Sequence, residues 1–224
     1  MNILKFKYLS LLFGIYLATM LASLTLCNRV TILFGIHIVG SSIFYPICFL
    51  IGDIIAEVYG YNEMRKITWV AFLCAILFAV YLELVNLMPA EPNYLFDQSY
   101  NVVIPPIMFI TFLGVTGITI GQFIDTYFLT KWKILVKGRY FWLRCLGSTF
   151  IGALVTTFIG YTNRLYSLPF EEALKFILAA YTIKLIGVII LATPCTIIVI
   201  LLKKAEPHEL LRINNVDFNP FKLN

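Results

Sequence analysis

Asp53, Glu57, Glu83, Asp125, Arg144 and Lys184 each lie inside a long run of apolar residues. At the centre of a bilayer each such charge costs about 2.5–3.5 kcal/mol on insertion scales. Side chains of this kind face the interior of a helix bundle or a water-filled hollow, and they mark paths for solutes or ions. Asp53 and Glu57 are four residues apart and share one helix face. Two unpaired carboxylates there would repel, so Arg144, Arg65 or Lys184 is expected to neutralise one of them. Lys184 falls near mid-span, whereas Glu83 lies near a helix end and can reach the surface. A purely structural ion-pair network is the alternative reading of these charges.

Polar stripes accompany them. Thr119, Gln122, Asp125 and Thr126 fall on one face of one helix. Arg144, Ser148, Gly152 and Thr156 recur every four residues in the next, with Thr149 and Thr157 beside them. Two neighbouring helices with inward polar faces outline a hydrated pocket. The same small residues also permit close helix packing, which is the plainer reading. Gly117–Leu129 (GITIGQFIDTYFL) and Ser148–Gly160 (STFIGALVTTFIG) share Ile, Gly and Thr at matched positions. The two segments cross in opposite directions, so a true repeat would be inverted, an arrangement that places substrate sites near mid-bilayer.

The elements that carry these stripes are membrane helices. The chain has 224 residues, of which 60% are hydrophobic and 13% charged, against about 25% charged in a typical soluble domain. Mean hydropathy is +0.88. A span needs roughly 20 apolar residues, and six such segments stand out, near 8–27, 41–60, 66–88, 104–130, 141–161 and 174–202. The expected fold is an all-α membrane protein of about six transmembrane helices, one domain over 1–224, with a short re-entrant or hairpin segment near 30–40. The N-terminal run is too long for a signal peptide and reads as the first helix. Pro105 and Pro106 are expected in the first turn of the fourth helix, Pro194 inside the sixth, and Pro89 and Pro92 at the close of the third.

Lys5, Lys7, Arg65, Lys66, Lys131, Lys133, Lys137, Arg139, Lys203, Lys204 and Arg212 fall on one side of a six-span chain. Arg29, Arg164, Glu91, Asp97, Glu171 and Glu172 fall on the other. The positive-inside rule then puts both termini in the cytoplasm of a multi-pass protein of the bacterial inner membrane type. The net charge of +5 is accounted for by topology, and no nucleic-acid partner is expected. The five cysteines form no CxxC pair and read as small hydrophobes. His37 and His208 have no ligand spacing, so neither a metal nor another cofactor is expected.

Three stretches carry a resemblance. They are Tyr45–Trp69 (YPICFLIGDIIAEVYGYNEMRKITW), Gly121–Thr126 (GQFIDT) followed by Phe141–Thr149 (FWLRCLGST), and Tyr181–Leu185 (YTIKL). In this order they resemble the queuosine precursor transporter family, also called vitamin-uptake-transporter-like. The resemblance implies a six-helix carrier that imports 7-deazaguanine bases, 7-cyano-7-deazaguanine and its aminomethyl relative, for salvage into the tRNA nucleoside queuosine. Such a base offers N–H donors, a carbonyl and a π-face. Asp53 or Asp125 can accept from its N–H groups, Gln122 can do both, and Arg144 or Lys184 can donate to the carbonyl. Phe49, Tyr45 or Trp142 can stack on the ring. Glu57, Ser148, Thr149 and Thr156 complete the expected substrate-binding set. One departure stands out: where the family repeats a G/S-Q-x-x-D-T pattern in the fifth helix, Ala153 and Thr156 replace the amide and the carboxylate, so the preferred base can differ.

Two other readings compete. Ala18 with Ala22, and Ala71 with Ala75, form the Ala-x-x-x-Ala spacing through which substrate-binding subunits of energy-coupling-factor importers dock. A membrane enzyme would need a motif such as GxGD or HExxH, and none is present. The expected partners are a deazapurine base, the lipid bilayer and a possible second copy of the chain. The preferred base and the energy coupling stay open at this level.

Overall fold

The computed structural model describes residues 6–27, 29–33, 36–91, 94–162, 169–206 and 218–222. Lys5, Pro92, Arg164, His208 and Arg212 lie outside them. Among the described residues there are six long helices: α1 (Leu9–Leu26), α2 (Ser41–Val58), α3 (Tyr61–Asn86), α4 (Asp97–Leu135), α5 (Phe141–Gly160) and α6 (Phe170–Ala205). All six are long and apolar enough to cross a membrane. Lipid offers exposed backbone no hydrogen bonds, so apolar runs of this length satisfy their N–H and C=O groups internally as helices. The outer surface is correspondingly apolar, with Leu73, Leu77, Phe112, Leu154, Phe158 and Ile189 exposed. Asp125 and Lys184, by contrast, are buried.

Residues 30–40 form a hairpin and not a re-entrant helix. Strand β1 (Val30–Leu33) pairs antiparallel with β2 (Ile36–Val39), with Val30 opposite Val39 and Leu33 opposite Ile36. The Gly40 N–H donates to the Arg29 carbonyl at 2.8 Å and closes it. Val39 packs with Tyr161 and Ala180, so the hairpin covers one end of the bundle.

Several boundaries differ from expectation, each for a local reason. Helix α3 starts at Tyr61 because Gly60, at φ 95°, turns the chain sharply after α2. Helix α4 starts at Asp97, so Pro105 and Pro106 lie inside it and not in its first turn. They forgo bonds to the carbonyls of Asn101 and Val102. The turn before them is held by Asp97, which accepts from Asn101 Nδ2 at 3.1 Å. Helix α6 extends to Glu171 and Glu172 in its first turn and to Lys203 and Lys204 in its last, which complements its dipole at both ends. Pro194 lies within α6 as expected, and Pro46 lies within α2. A Cβ on Gly187 would meet Pro46 Cγ at 2.6 Å, so glycine there allows α6 to approach α2.

Helix α2 is the axis of the bundle. Fifteen of its 18 residues are buried, and it contacts each of the other five helices. Helices α4 and α5 form the tightest pair. A Cβ on Gly121 would lie 2.7 Å from the Gly152 carbonyl oxygen, and a Cβ on Gly152 would lie 2.8 Å from that of Gly121. Gly121 also abuts the side chain of Thr156, and Gly152 abuts Cβ of Asp125. In the matched segments Gly121 aligns with Gly152 and Asp125 with Thr156. The contact set therefore maps onto itself when the two segments are exchanged, as a local two-fold axis requires.

The C-terminal segment returns to the bundle. Glu206 accepts from the backbone N–H groups of Lys7 and Tyr8, at 3.1 and 2.9 Å, and from the Tyr59 hydroxyl at 2.8 Å. Residues 218–222 lie along α3. There Tyr61, Arg65 and Trp69, spaced by four, donate to the carbonyls of Phe218, Asn219 and Pro220 at 3.3, 2.5 and 2.8 Å. Phe218 also packs on Tyr127 of α4 with ring centroids 5.1 Å apart. Ending the chain after residue 217 removes this strap. At a net ~1 kcal/mol for each of two neutral bonds, and somewhat more for the charged one, stability falls by about 3 kcal/mol. Thermal unfolding in detergent should drop by about 6–12 °C.

Candidate functional site

The polar residues of the interior form one column, and α2 is its backbone. Tyr45, Phe49, Asp53 and Glu57 follow each other at four-residue intervals, all buried. Each step advances about 6 Å along the axis. Helices α4, α5 and α6 supply partners at three levels.

At the first level, Lys184 Nζ donates to Thr157 Oγ1 at 3.0 Å. It lies 4.1 Å from the Tyr45 ring centroid and 5.4 Å from that of Tyr161. The Tyr161 hydroxyl shares a 3.2 Å hydrogen bond with Ser42. Among the described residues Lys184 has no carboxylate partner; its neighbours are two aromatic faces and a hydroxyl. Tyr45 stacks on Phe49, with centroids 5.6 Å apart and 28° between the planes.

At the middle level, Asp53 of α2 and Asp125 of α4 are neighbours close enough to influence each other. Thr149 Oγ1 donates to Asp53 Oδ2 at 3.0 Å. Asp125 adjoins Ser148 and Thr149, but Ser148 donates to the Cys145 carbonyl at 3.2 Å and Thr149 is committed to Asp53. Gln122 Nε2 donates to Thr126 Oγ1 at 3.3 Å, and its amide fills the space that a side chain on Gly52 would need. Four buried acceptor atoms consequently have no donor among the described residues: Asp53 Oδ1, both oxygens of Asp125, and Gln122 Oε1. Buried polar groups are nearly always satisfied, so a cluster of four bare acceptors calls for a ligand rich in donors. Phe49 contributes an apolar wall, since a Cβ on Gly152 would meet its ring at 3.0 Å.

At the third level, Glu57 is held by three cations. Arg144 Nη1 lies at 3.1 Å, Lys203 Nζ at 2.5 Å and Lys133 Nζ at 3.4 Å. Lys133 also donates to the Glu57 backbone carbonyl at 2.8 Å. Arg144 bonds the carbonyls of Arg139 and Leu129 as well, at 3.0 and 3.3 Å. This cluster ties α2, α4, α5 and α6 together at one end of the column.

The expected substrate set thus divides. Asp53, Gln122, Asp125, Ser148, Thr149, Thr156 and Phe49 converge at the middle level. Glu57 and Arg144 pair with each other below it, and Lys184 lies above it. Of the three candidates for neutralising a carboxylate, Arg144 does so for Glu57, while Arg65 bonds Asn219 and Lys184 faces tyrosines. Trp142 does not join the column: it is 50% exposed in the first turn of α5, about 10 Å along the axis from Thr149. Thr156 donates its hydroxyl to the Gly152 carbonyl at 2.8 Å, and Ala153 is buried, so at these positions α5 supplies neither a carboxylate nor an amide. The small residues of α4 and α5 serve both readings, packing closely at Gly121 and Gly152 and lining polar groups beside them.

Lys133 and Lys203 join the Glu57 cluster, although the sequence marks them only as topological charges. The signal for Lys203 is present in α6, where Lys184, Val188, Ala192, Cys195 and Val199 form a buried stripe whose next step is Lys203. Lys133 likewise continues a buried stripe of α4, formed by Gln122, Thr126 and Leu129. The tyrosine pair around Lys184 depends on Tyr161, which lies just past the end of α5 but continues the buried four-residue series Thr149, Ala153, Thr157. Apart from the column, a cavity of about 720 Å³ lies between the C-terminal end of α3 and the start of α4, lined by Phe78, Tyr81, Tyr94, Tyr100 and Ile104.

A polar column inside six apolar helices suits a membrane carrier, and the comparisons with known proteins agree. A protein of Bacillus subtilis (strain 168), the "Probable queuosine precursor transporter", is 25% identical over 155 residues, which are 69% of this chain and 67% of that protein. No solved structure matches the chain. The family described as "Putative vitamin uptake transporter" matches residues 39–199. That stretch runs from the end of the hairpin through most of α6 and contains every residue of the middle level; the chain belongs to this family of membrane transporters.

Proposed function

We propose that the chain imports queuosine precursors, 7-deazaguanine bases such as 7-cyano-7-deazaguanine, for tRNA queuosine salvage, and that the base binds at the middle level. The observation that carries this reading is the set of four buried acceptors on Asp53, Gln122 and Asp125 without donors among the described residues. A deazaguanine presents several N–H groups along one planar edge, which is the complement such a set requires. Phe49, backed by Tyr45, offers the apolar face on which the ring can stack, a contact worth about 1–3 kcal/mol for a base. The printed name of the Bacillus relative supports the same substrate class. The donor-free acceptors come from α2 and α4 alone, and Ala153 and Thr156 offer the base neither the amide nor the carboxylate of the family pattern, so the preferred 7-substituent can differ.

In this reading the protein is a carrier and not an enzyme. The Glu57 end, with Lys133, Arg144 and Lys203, faces the cytoplasm of a bacterial inner membrane, and both termini lie on that side. The Lys184 level closes the outer approach. For the importer-subunit alternative, Ala71 and Ala75 are buried and not free to dock a partner, whereas Ala18 is exposed and Ala22 half-buried on α1; co-purification with ATPase subunits would favour that reading, and transport by the lone protein in liposomes would exclude it.

The test is growth of a strain that can neither make queuosine nor take up its precursors, supplied with the gene and with low external base. Queuosine should reappear in tRNA with 7-cyano-7-deazaguanine or its aminomethyl relative. Failure with both bases, while the protein is present in the membrane, would remove the assignment.

A further inference from the structure

Asp53 and Asp125 meet with no described cation in ion-pair range. The cations along the column are engaged elsewhere, Lys133, Arg144 and Lys203 with Glu57 and Lys184 with Thr157 and two tyrosines. The titratable groups that face the pair are Tyr16 from α1, Cys145 from α5 with Cys195 of α6 behind it, and Cys48 of α2, which bonds Tyr16. Glu57 lies one turn further along α2. Helix α3 brings Glu63 and Arg65 only to its first turns, where Arg65 bonds Asn219. None of these sets a cation against the two carboxyls.

Two carboxylates buried side by side cannot both remain charged, and a carboxyl bonds a carboxylate only through a proton. We propose that Asp53 and Asp125 share one proton and that this proton crosses with the substrate, so that uptake is proton-coupled. The inference rests on the reading of the middle level as a base site. A neutral base brings no cation to replace the proton, so the pair keeps it during transit. The shared proton ties one oxygen of each carboxyl to the other, while the remaining oxygens and Gln122 Oε1 accept from the N–H edge. The proton is taken from the outer solution with the base and released on the inner side with it, and no bond of the base changes.

The full-length protein in proteoliposomes, with potassium and valinomycin clamping the potential, decides the matter using 7-cyano-7-deazaguanine as probe. An inside-alkaline gradient of one pH unit should drive about tenfold accumulation at one proton per base. An internal pH dye should report acidification when the base is added. Intact exchange of labelled for unlabelled base without any response to the pH gradient, or accumulation driven by an inward sodium gradient instead, overturns the coupling alone. Absence of exchange as well as accumulation overturns the base assignment, and the coupling with it. Infrared difference spectra then locate the proton. A carboxylic-acid band at neutral pH should be present in the native protein and lost in Asp125→Asn. A band that survives in both Asp125→Asn and Asp53→Asn puts the proton elsewhere and overturns the proposal.

Discussion

Asp125→Ala should lower uptake of 7-cyano-7-deazaguanine by at least two orders of magnitude while the protein still inserts. Asp125 supplies two of the four donor-free acceptors of the middle level. A hydrogen bond to a charged group contributes about 1.5–3 kcal/mol. Losing one such bond in the bound or translocating complex costs about tenfold or more, and losing two costs about a hundredfold or more. Asp125→Glu should not restore function. The carboxyl would move outward by one methylene, and Cβ of Asp125 already lies against Gly152, where α4 and α5 are closest. Thr157→Val makes the useful contrast: it removes the acceptor for Lys184 but leaves the middle level intact, so it should cost far less. Initial-rate uptake, with membrane expression and elution profile as controls, measures all three. Uptake of Asp125→Ala at the native rate would move the substrate site away from the middle level.

Charge and polarity in the wrong solvent were the most informative features of the sequence, and they located the column because lipid leaves such groups nowhere else to go. Asp53, Asp125 and Gln122 were legible as a group for that reason, as was the number of spans. Hairpin 30–40 was legible only as an alternative, since its apolar run is too short to separate a strand pair from a re-entrant turn by periodicity. The start of α4 was misjudged because two adjacent prolines normally mark a first turn, whereas here Asp97 and Asn101 sustain a turn before them. The partition of the site was not legible. Spacing along one helix places Glu57 beside Asp53, but only the approach of α4 and α6 shows that Lys133 and Lys203 surround Glu57 and leave Asp53 without a cation. The C-terminal strap was invisible for a similar reason: its bonds run from backbone carbonyls to side chains some 150 residues away in sequence.

That partition yields a second large effect, on stability. Glu57→Ala strands three cations that now share one carboxylate. Lys203, with a side chain 40% exposed, can turn to solvent, and Lys133 can do so in part, but the Arg144 side chain is only 4% exposed. Removing one member of a buried pair costs about 3–5 kcal/mol, chiefly because the other charge is left uncompensated. Lys203→Met should cost under about 1 kcal/mol, as expected for a partly exposed ion pair. If the penalty in Glu57→Ala belongs to the stranded guanidinium, removing that charge as well should relieve it. Glu57→Leu combined with Arg144→Leu should therefore unfold nearer the native temperature than Glu57→Leu alone, because apolar side chains of similar volume often replace a buried pair at little cost. Thermal unfolding of the native protein, Glu57→Leu, Arg144→Leu and the double variant in one detergent gives the cycle. Simple addition of the two single losses in the double variant would show that Glu57 and Arg144 do not act as a pair, and that the bundle is closed at this end by something other than their contact.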